Sequence, residues 1–318
     1  MTMPPTVKQL NDRLRPLWRG AIKHPLTRAQ NGIERLRYNK LFDRISAAAE
    51  ANQLLCQLLA SDSPIFVARI GNTEGRIAGE WLWRGGRYGR LTRKEAHQYS
   101  GIFPVSSWLL DEFASLYVNS LQDVDVLGFW QSSYQARLVN STCSASALVP
   151  LGSLEPYFHD RPWTGSLAGR RVIVVHPFAR SILEQYQCRR EILFANSGVL
   201  PPFDLRVHRP PQTLAPSTSG FTSWLEAFST LKSEVLSQDF DVALLGCGAY
   251  GLPLGAAIKR SGRQVVQLGG ALQILFGIRG RRWEAMPQFA ALMHDGWIRP
   301  SPEETPASAG SVDGACYW

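Results

Sequence analysis

Several things are missing from this sequence, and each absence removes a class of protein. There is no run of the roughly 18–20 apolar residues that a membrane-spanning helix needs. Residues 1–20 contain no continuous apolar core of the kind a secretory leader carries. The five cysteines (Cys56, Cys143, Cys188, Cys247 and Cys316) are odd in number and widely spaced, with no CxxC pair and no Cys/His cluster. That pattern argues against a disulfide framework or a structural zinc site. GxxxxGK[ST] is absent, so a P-loop NTPase is excluded, and Ser181 does not lie in a GxSxG elbow, so no hydrolase triad is indicated. Charged residues make up only 19% against 45% hydrophobic, the opposite of a disordered chain. Internal repeats are also lacking. The expectation is a cytoplasmic protein, with any membrane contact peripheral and at the inner face of the cell membrane.

The charge that is present is unevenly placed. Of the formal net charge of +8, nine cations and only two acids (Asp12 and Glu34) fall in residues 1–40. The remaining chain carries 25 cations and 24 anions and is nearly neutral. This predicts a basic N-terminal arm over 1–40 suited to an anionic membrane surface, a body over 41–298, and a loose tail over 299–318 containing three prolines. A nearly neutral body argues against nucleic acid as a partner.

Within the body, continuous apolar runs alternate with amphipathic stretches. Strands are predicted at 65–68, 124–129, 171–175, 241–245 and 264–268. Helices are predicted at 40–60, 93–100, 106–121, 179–195, 221–238 and 252–261, with a long loop over 198–220. In the first helix Leu41, Ile45, Ala48, Leu54, Leu55 and Leu58 form the expected buried stripe. The fold class that follows is α/β: a Rossmann-like, mostly parallel sheet with helices on both faces. In such sheets ligands bind beyond the carboxyl ends of the strands, so the loops there carry the candidate chemistry.

Gly246–Cys247–Gly248–Ala249–Tyr250–Gly251 fits GxGxxG between a strand and a helix. It can bring backbone amides onto a phosphate, with Gly246, Gly248, Tyr250 and Gly251 around that phosphate, or it can be a turn that needs glycine for packing. No acid ends the following strand, where Gln267 and Leu268 stand, and this weighs against an NAD(P) oxidoreductase. Arg69–Ile70–Gly71–Asn72–Thr73–Glu74 places a cation, a carboxamide and a carboxylate after a strand. Glu74 can act as a base or, with Asn72, hold a divalent ion, and Arg69 can grip a phosphate or simply pair with Glu74. Gly270, Gln273, Arg279, Arg281 and Arg282 form a third, glycine- and arginine-rich stretch that offers donors for a pyrophosphate. His176, after the strand at 171–175, is a candidate base. Trp130 and Tyr134 could line an acceptor site or belong to the core.

The loop Arg69–Glu74 resembles the R-[FI]-G-D-G-E loop of the GT-D-fold bacterial glycosyltransferases, and the segment 241–270 is similar to the C-terminal half of their nucleotide-sugar domain. The resemblance covers roughly residues 60–285. It implies a GT-D-like fold and transfer of a sugar from a nucleoside-diphosphate sugar to a glycan, lipid-linked or protein acceptor in cell-surface polysaccharide or glycoprotein assembly. It also implies Mn²⁺ or Mg²⁺ at an Asp-x-Glu pair. Here Glu74 keeps the Glu, while Asn72 stands in the Asp position and offers a neutral oxygen in place of a charge. Arg279, Arg281 and Arg282 could take over part of the neutralisation of a leaving diphosphate. A non-catalytic nucleotide-binding or regulatory module is the alternative.

Overall fold

The computed structural model describes residues 36–130, 134–143, 147–213, 220–306, 309–311 and 315–318. The chain divides into two compact units, 1–44 and 45–318. Most of the basic arm therefore lies outside the described residues, and the described part of the first unit includes the helical turn Asn39–Phe42.

The second unit is built on seven strands: β1 Phe66–Arg69, β2 Val126–Phe129, β3 Ala147–Pro150, β4 Arg171–Val175, β5 Asp204–His208, β6 Val242–Leu245 and β7 Gln264–Gln267. All pair in parallel, in the order β3-β2-β1-β7-β6-β4-β5. The central strands are buried on both faces, which is why they read as unbroken apolar runs. The principal helices are α1 Ala48–Ala60, α2 Asn72–Arg84, α3 Arg90–Ser100, α4 Ser107–Leu121, α5 Gln135–Thr142, α6 Ala179–Arg189, α7 Trp224–Leu236 and α8 Gly251–Arg260.

Alternation along the strands assigns the two layers. Val67, Val126, Val149, Val172, Val174, Val242, Leu244 and Val266 face a core shared with α1, α6 and the segment 268–297. On the other face α8 packs against α4 and α7, and α2 against α4.

The sequence expectations shift in four places. The fully buried positions of α1 are Ala51, Leu55 and Leu59; of the expected stripe Leu41 and Leu55 are buried, Ile45, Leu54 and Leu58 are half-buried, and Ala48 is exposed. Strand β1 runs almost directly into α2, where a loop was expected. Gly79, inside α2, is needed because a Cβ there would lie 2.5 Å from the Tyr134 ring. The expected loop at 198–220 contains β5, and β3 was not anticipated. Both are sheet-edge strands: β5 carries polar residues at alternate positions, and β3 is only a four-residue apolar run ended by Pro150. Finally, the segment 299–318 is not loose where it is described. Trp318 is buried, its indole N–H donates to the Glu304 carbonyl at 3.0 Å, and its ring meets Phe178 edge-on.

Candidate functional site

From β4 the chain crosses outward to β5, whereas from β6 it crosses the other way to β7. With right-handed crossovers, α6 and α8 are sent to opposite faces. The adjacent carboxyl ends of β4 and β6 are therefore a topological switch point, where open parallel sheets leave a crevice. A cleft of about 130 Å³ opens there. Its floor comes from His176–Phe178 after β4, Gly246–Tyr250 after β6 and Gly269–Gly270 after β7, and its walls include Tyr99, Tyr317 and Trp318. Another hollow, of about 270 Å³ among residues 190–200, lies beyond the far end of α6, away from these strand ends.

His176 is buried, and its Nδ1 accepts the Phe178 amide at 3.0 Å. Burial pushes its pKa down to about 3, so the ring is neutral at physiological pH. With Nδ1 engaged as an acceptor, its proton belongs on Nε2. This corrects the expectation of a base, because His176 instead presents a neutral N–H donor at the cleft floor.

The glycine turn has a mixed character. A Cβ at Gly246 would lie 2.4 Å from His176 Cδ2, and one at Gly251 would lie 2.8 Å from Gln267 Nε2, so both are glycine for close packing. Gly248 differs. Its φ is +58° and the space where a Cβ would sit is open. The amides of Gly248 and Ala249 begin the turn into α8, where no carbonyl lies one turn back to accept them. Tyr250 belongs to the structure: it stacks on Trp224 at 4.9 Å and its hydroxyl bonds Thr213 at 2.9 Å. Among the described residues that line the cleft there is no lysine or arginine.

Charge collects beside the cleft, at the end of β1. Glu74 sits in the first turn of α2, where Ser100 Oγ–H, itself on the cleft wall, donates to its Oε1 at 2.7 Å. Burial raises the Glu74 pKa, opposed by that hydrogen bond and by the Arg69 charge. A Cβ at Gly71 would overlap Glu74 Oε2 at 1.9 Å, so this glycine makes room for the carboxylate. The Gly71 amide donates to the Tyr117 hydroxyl at 3.2 Å.

Arg69 is largely enclosed. Burial works against its charge, while Tyr317, Glu155 and Glu74 favour it and Arg282 opposes it; a guanidinium stays protonated under these influences. It donates to the Leu268 carbonyl at 3.4 Å and lies 5.7 Å from the centre of the Trp130 ring. Trp130 is fixed in turn by its indole N–H on the Ile70 carbonyl at 2.9 Å.

Glu155 was not among the sequence candidates. It lies between two short 3-10 turns after β3, a position with no motif to mark it. Burial pushes its pKa up to about 7, with Arg69 pulling it back. The neighbouring Tyr157 hydroxyl is buried with no hydrogen-bond partner among the described residues.

The remaining candidates separate. Arg279 turns away, its guanidinium donating to the His294 carbonyl at 2.6 Å. Arg281 is exposed. Arg282 reaches the site through the Tyr317 hydroxyl at 3.3 Å. The three arginines therefore do not converge. Gln273 Nε2 faces the carbonyls of Ile278, Arg279 and Tyr317, each at 3.2 Å, and holds the C-terminal segment in place. Gly270 lies against the Tyr317 ring. Tyr134 is half-buried, packs on Gly79 and stacks on Trp83, and does not line the cleft. Asn72 is exposed at the first position of α2. Among the described residues, no three His, Cys, Asp or Glu side chains converge as a metal-binding group, the five cysteines form no disulfide, and no helix is long and apolar enough to cross a membrane.

Set against family models, curated proteins and solved structures, the chain matches none of them.

Proposed function

We propose that this protein transfers a glycosyl group from a nucleoside-diphosphate sugar to an acceptor hydroxyl. The observation that carries the reading is the gathering of Arg69 with two carboxyls, Glu74 and Glu155, beside the switch-point cleft. Glycosyl transfer needs positive charge for the leaving diphosphate and a proton acceptor for the incoming hydroxyl. The cleft suits the uncharged end of the donor, because its lining carries aromatic and proline rings together with neutral polar groups, among them the His176 N–H at its floor and the amides of Gly248 and Ala249. The diphosphate belongs toward Arg69 and Arg282, which flank Tyr317. Glu155, whose raised pKa of about 7 lies near the working pH of a general base, is given the role of taking the proton. Glu74, fixed by Ser100 and sheltered under Gly71, orders the turn that presents Arg69. A divalent ion, if the reaction uses one, would draw on Glu74 and Asn72 and would add positive charge against the diphosphate.

The test is transfer and release of nucleoside diphosphate by the full chain, with Glu74→Gln and Glu155→Gln variants. Each is expected to lower turnover by roughly 10²-fold or more while the far-UV circular dichroism stays that of the parent. Turnover unchanged in both variants overturns the assignment. A second reading, a nucleotide-binding module without catalysis, draws on the cleft's lack of lysine or arginine. It predicts a donor-induced rise in Tm with no nucleoside diphosphate released by the parent.

A further inference from the structure

One corner of the body, where the first turns of α3 and α4 meet, exposes apolar and basic side chains together. Trp108 is 64% exposed and Leu91 59%. Trp108 stands in the first turn of α4, and Leu91 on the outer face of α3, opposite its buried Thr92, Ala96 and Ser100. Around them Arg84, Arg87, Arg90 and Lys94 are all exposed.

The corner is held rigid from beneath. Arg93 donates to the Val105 carbonyl at 2.6 Å and to Ser107 Oγ at 2.7 Å, which ties the start of α3 to the start of α4. Its guanidinium also lies 5.7 Å from the centre of the Tyr88 ring, and the Tyr88 hydroxyl donates to Asp111 at 2.7 Å.

The nearby acids are mostly engaged. Glu80 is buried and accepts from Thr92 Oγ1 and the Gly89 amide, with Arg84 reaching it at 3.4 Å. Glu95 pairs with Arg76, and Asp111 holds Tyr88. Glu112 is left as the exposed acid against four exposed cations. Among the described residues no ion pair engages Arg87, Arg90 or Lys94. A patch of this charge in a body that is otherwise near neutral calls for an anionic partner.

We infer that this corner docks on an anionic lipid surface, with Trp108 and Leu91 entering the headgroup layer and Arg84, Arg87, Arg90 and Lys94 resting on its phosphates. An indole with its polar N–H suits the boundary between headgroups and acyl chains. An aliphatic leucine beside it gains from acyl contact and would gain little from a nucleic-acid backbone. Clustered Lys and Arg supply the attraction to anionic lipid, which falls off within a Debye length. Helix α3 joins this corner to the cleft, since Tyr99 and Ser100 at its other end line the cleft wall. At 1.5 Å per residue the separation is about 15 Å, so docking here holds the cleft close to the lipid surface. This inference is independent of the reaction proposed above.

The experiment uses the full chain with vesicles of phosphatidylglycerol and phosphatidylcholine in equal parts, carrying brominated acyl chains that quench tryptophan on contact. Phosphatidylcholine alone is the control. The parent is expected to bind the anionic vesicles, to be released by high salt, and to show quenching that Trp108→Ser removes. The Arg87→Glu/Arg90→Glu variant should bind at least roughly tenfold more weakly. Both variants change exposed positions, and their Tm reports that the fold is kept. Three results would overturn the inference: quenching that is the same in parent and Trp108→Ser, which places vesicle contact elsewhere, such as residues 1–40; equal binding to both vesicle types; or binding to a single-stranded oligonucleotide with none to vesicles.

Discussion

The turn after β6 and the turn after β1 have the same plan, a strand, a glycine and a helix, yet they have been put to different uses. In the first, Gly246 and Gly251 yield their space to His176 and Gln267, the histidine is buried and neutral, and the nearby cleft has no cation among its described lining residues. In the second, Gly71 yields its space to a carboxylate, and Arg69 sits in electrostatic reach of Glu74 and Glu155. One side of the site holds a group that resists gaining a proton, and the other holds groups that resist losing one. A glycine motif thus marks where backbone and neighbour come close, and what approaches the glycine decides the chemistry.

This contrast gives the two sides opposite pH signatures, of which His176 has the larger. Its folded pKa, about 3, lies below the ordinary value of 6.5. The stability it contributes is therefore present above 6.5 and is lost as pH falls toward 3. Chemical denaturation of the parent should show stability falling by about 3 kcal/mol between pH 7.5 and 4 from this residue. His176→Gln should flatten that limb. If the variant keeps the same acid slope, the buried neutral imidazole is not its source.

Glu155 runs the other way. Its folded pKa of about 7 lies above the ordinary 4.5. Its contribution is full below 4.5 and is lost as pH rises through 7. Allowing for its partial exposure, Glu155→Gln should gain about 1–2 kcal/mol on the parent at pH 8 and about nothing at pH 4. Equal stability of the two at pH 8 would mean that the carboxyl ionises without cost and that Arg69 compensates it fully.

The sequence revealed the sheet's interior better than its edges, for a physical reason. β1, β4, β6 and β7 are covered on both faces and so appear as Val/Ile/Leu/Ala runs, whereas β3 and β5 border the sheet, and the alternation of Asp204, Arg206 and His208 with Leu205 and Val207 resembles a polar loop. Of the site, Arg69, Glu74 and His176 were legible because they directly follow apolar strands. Glu155, Ser100 and Tyr317 were not, since each reaches the cleft region from a segment distant in sequence and is defined only by what folding sets beside it. The tail was misread because its prolines suggest looseness, while Trp318 and Glu304 supply the burial and hydrogen bonds that fix it. The three arginines at 279–282 looked like one cluster because they are close in the chain, but the turn into a short helix at Arg281–Glu284 sends them apart.

The smallest changes separate the two turns most sharply. Gly246→Ala forces a methyl against His176 Cδ2 and leaves it 3.0 Å from the Gly269 carbonyl, and should cost about 2 kcal/mol in urea denaturation by overpacking. Gly248→Ala meets no atom within 4 Å and bears only the strain of a left-handed φ, about 1 kcal/mol. Because its methyl would stand at the first amides of α8, it also reports on where a diphosphate lies. If phosphate rests on this turn, Gly248→Ala should weaken nucleoside-diphosphate binding by roughly tenfold or more, a loss of about 1.4 kcal/mol, beyond its effect on stability. If phosphate rests on the Arg69 side, binding should stay within about twofold of the parent while Arg69→Met loses it, because the added methyl faces open space and the charge that holds the anion is untouched.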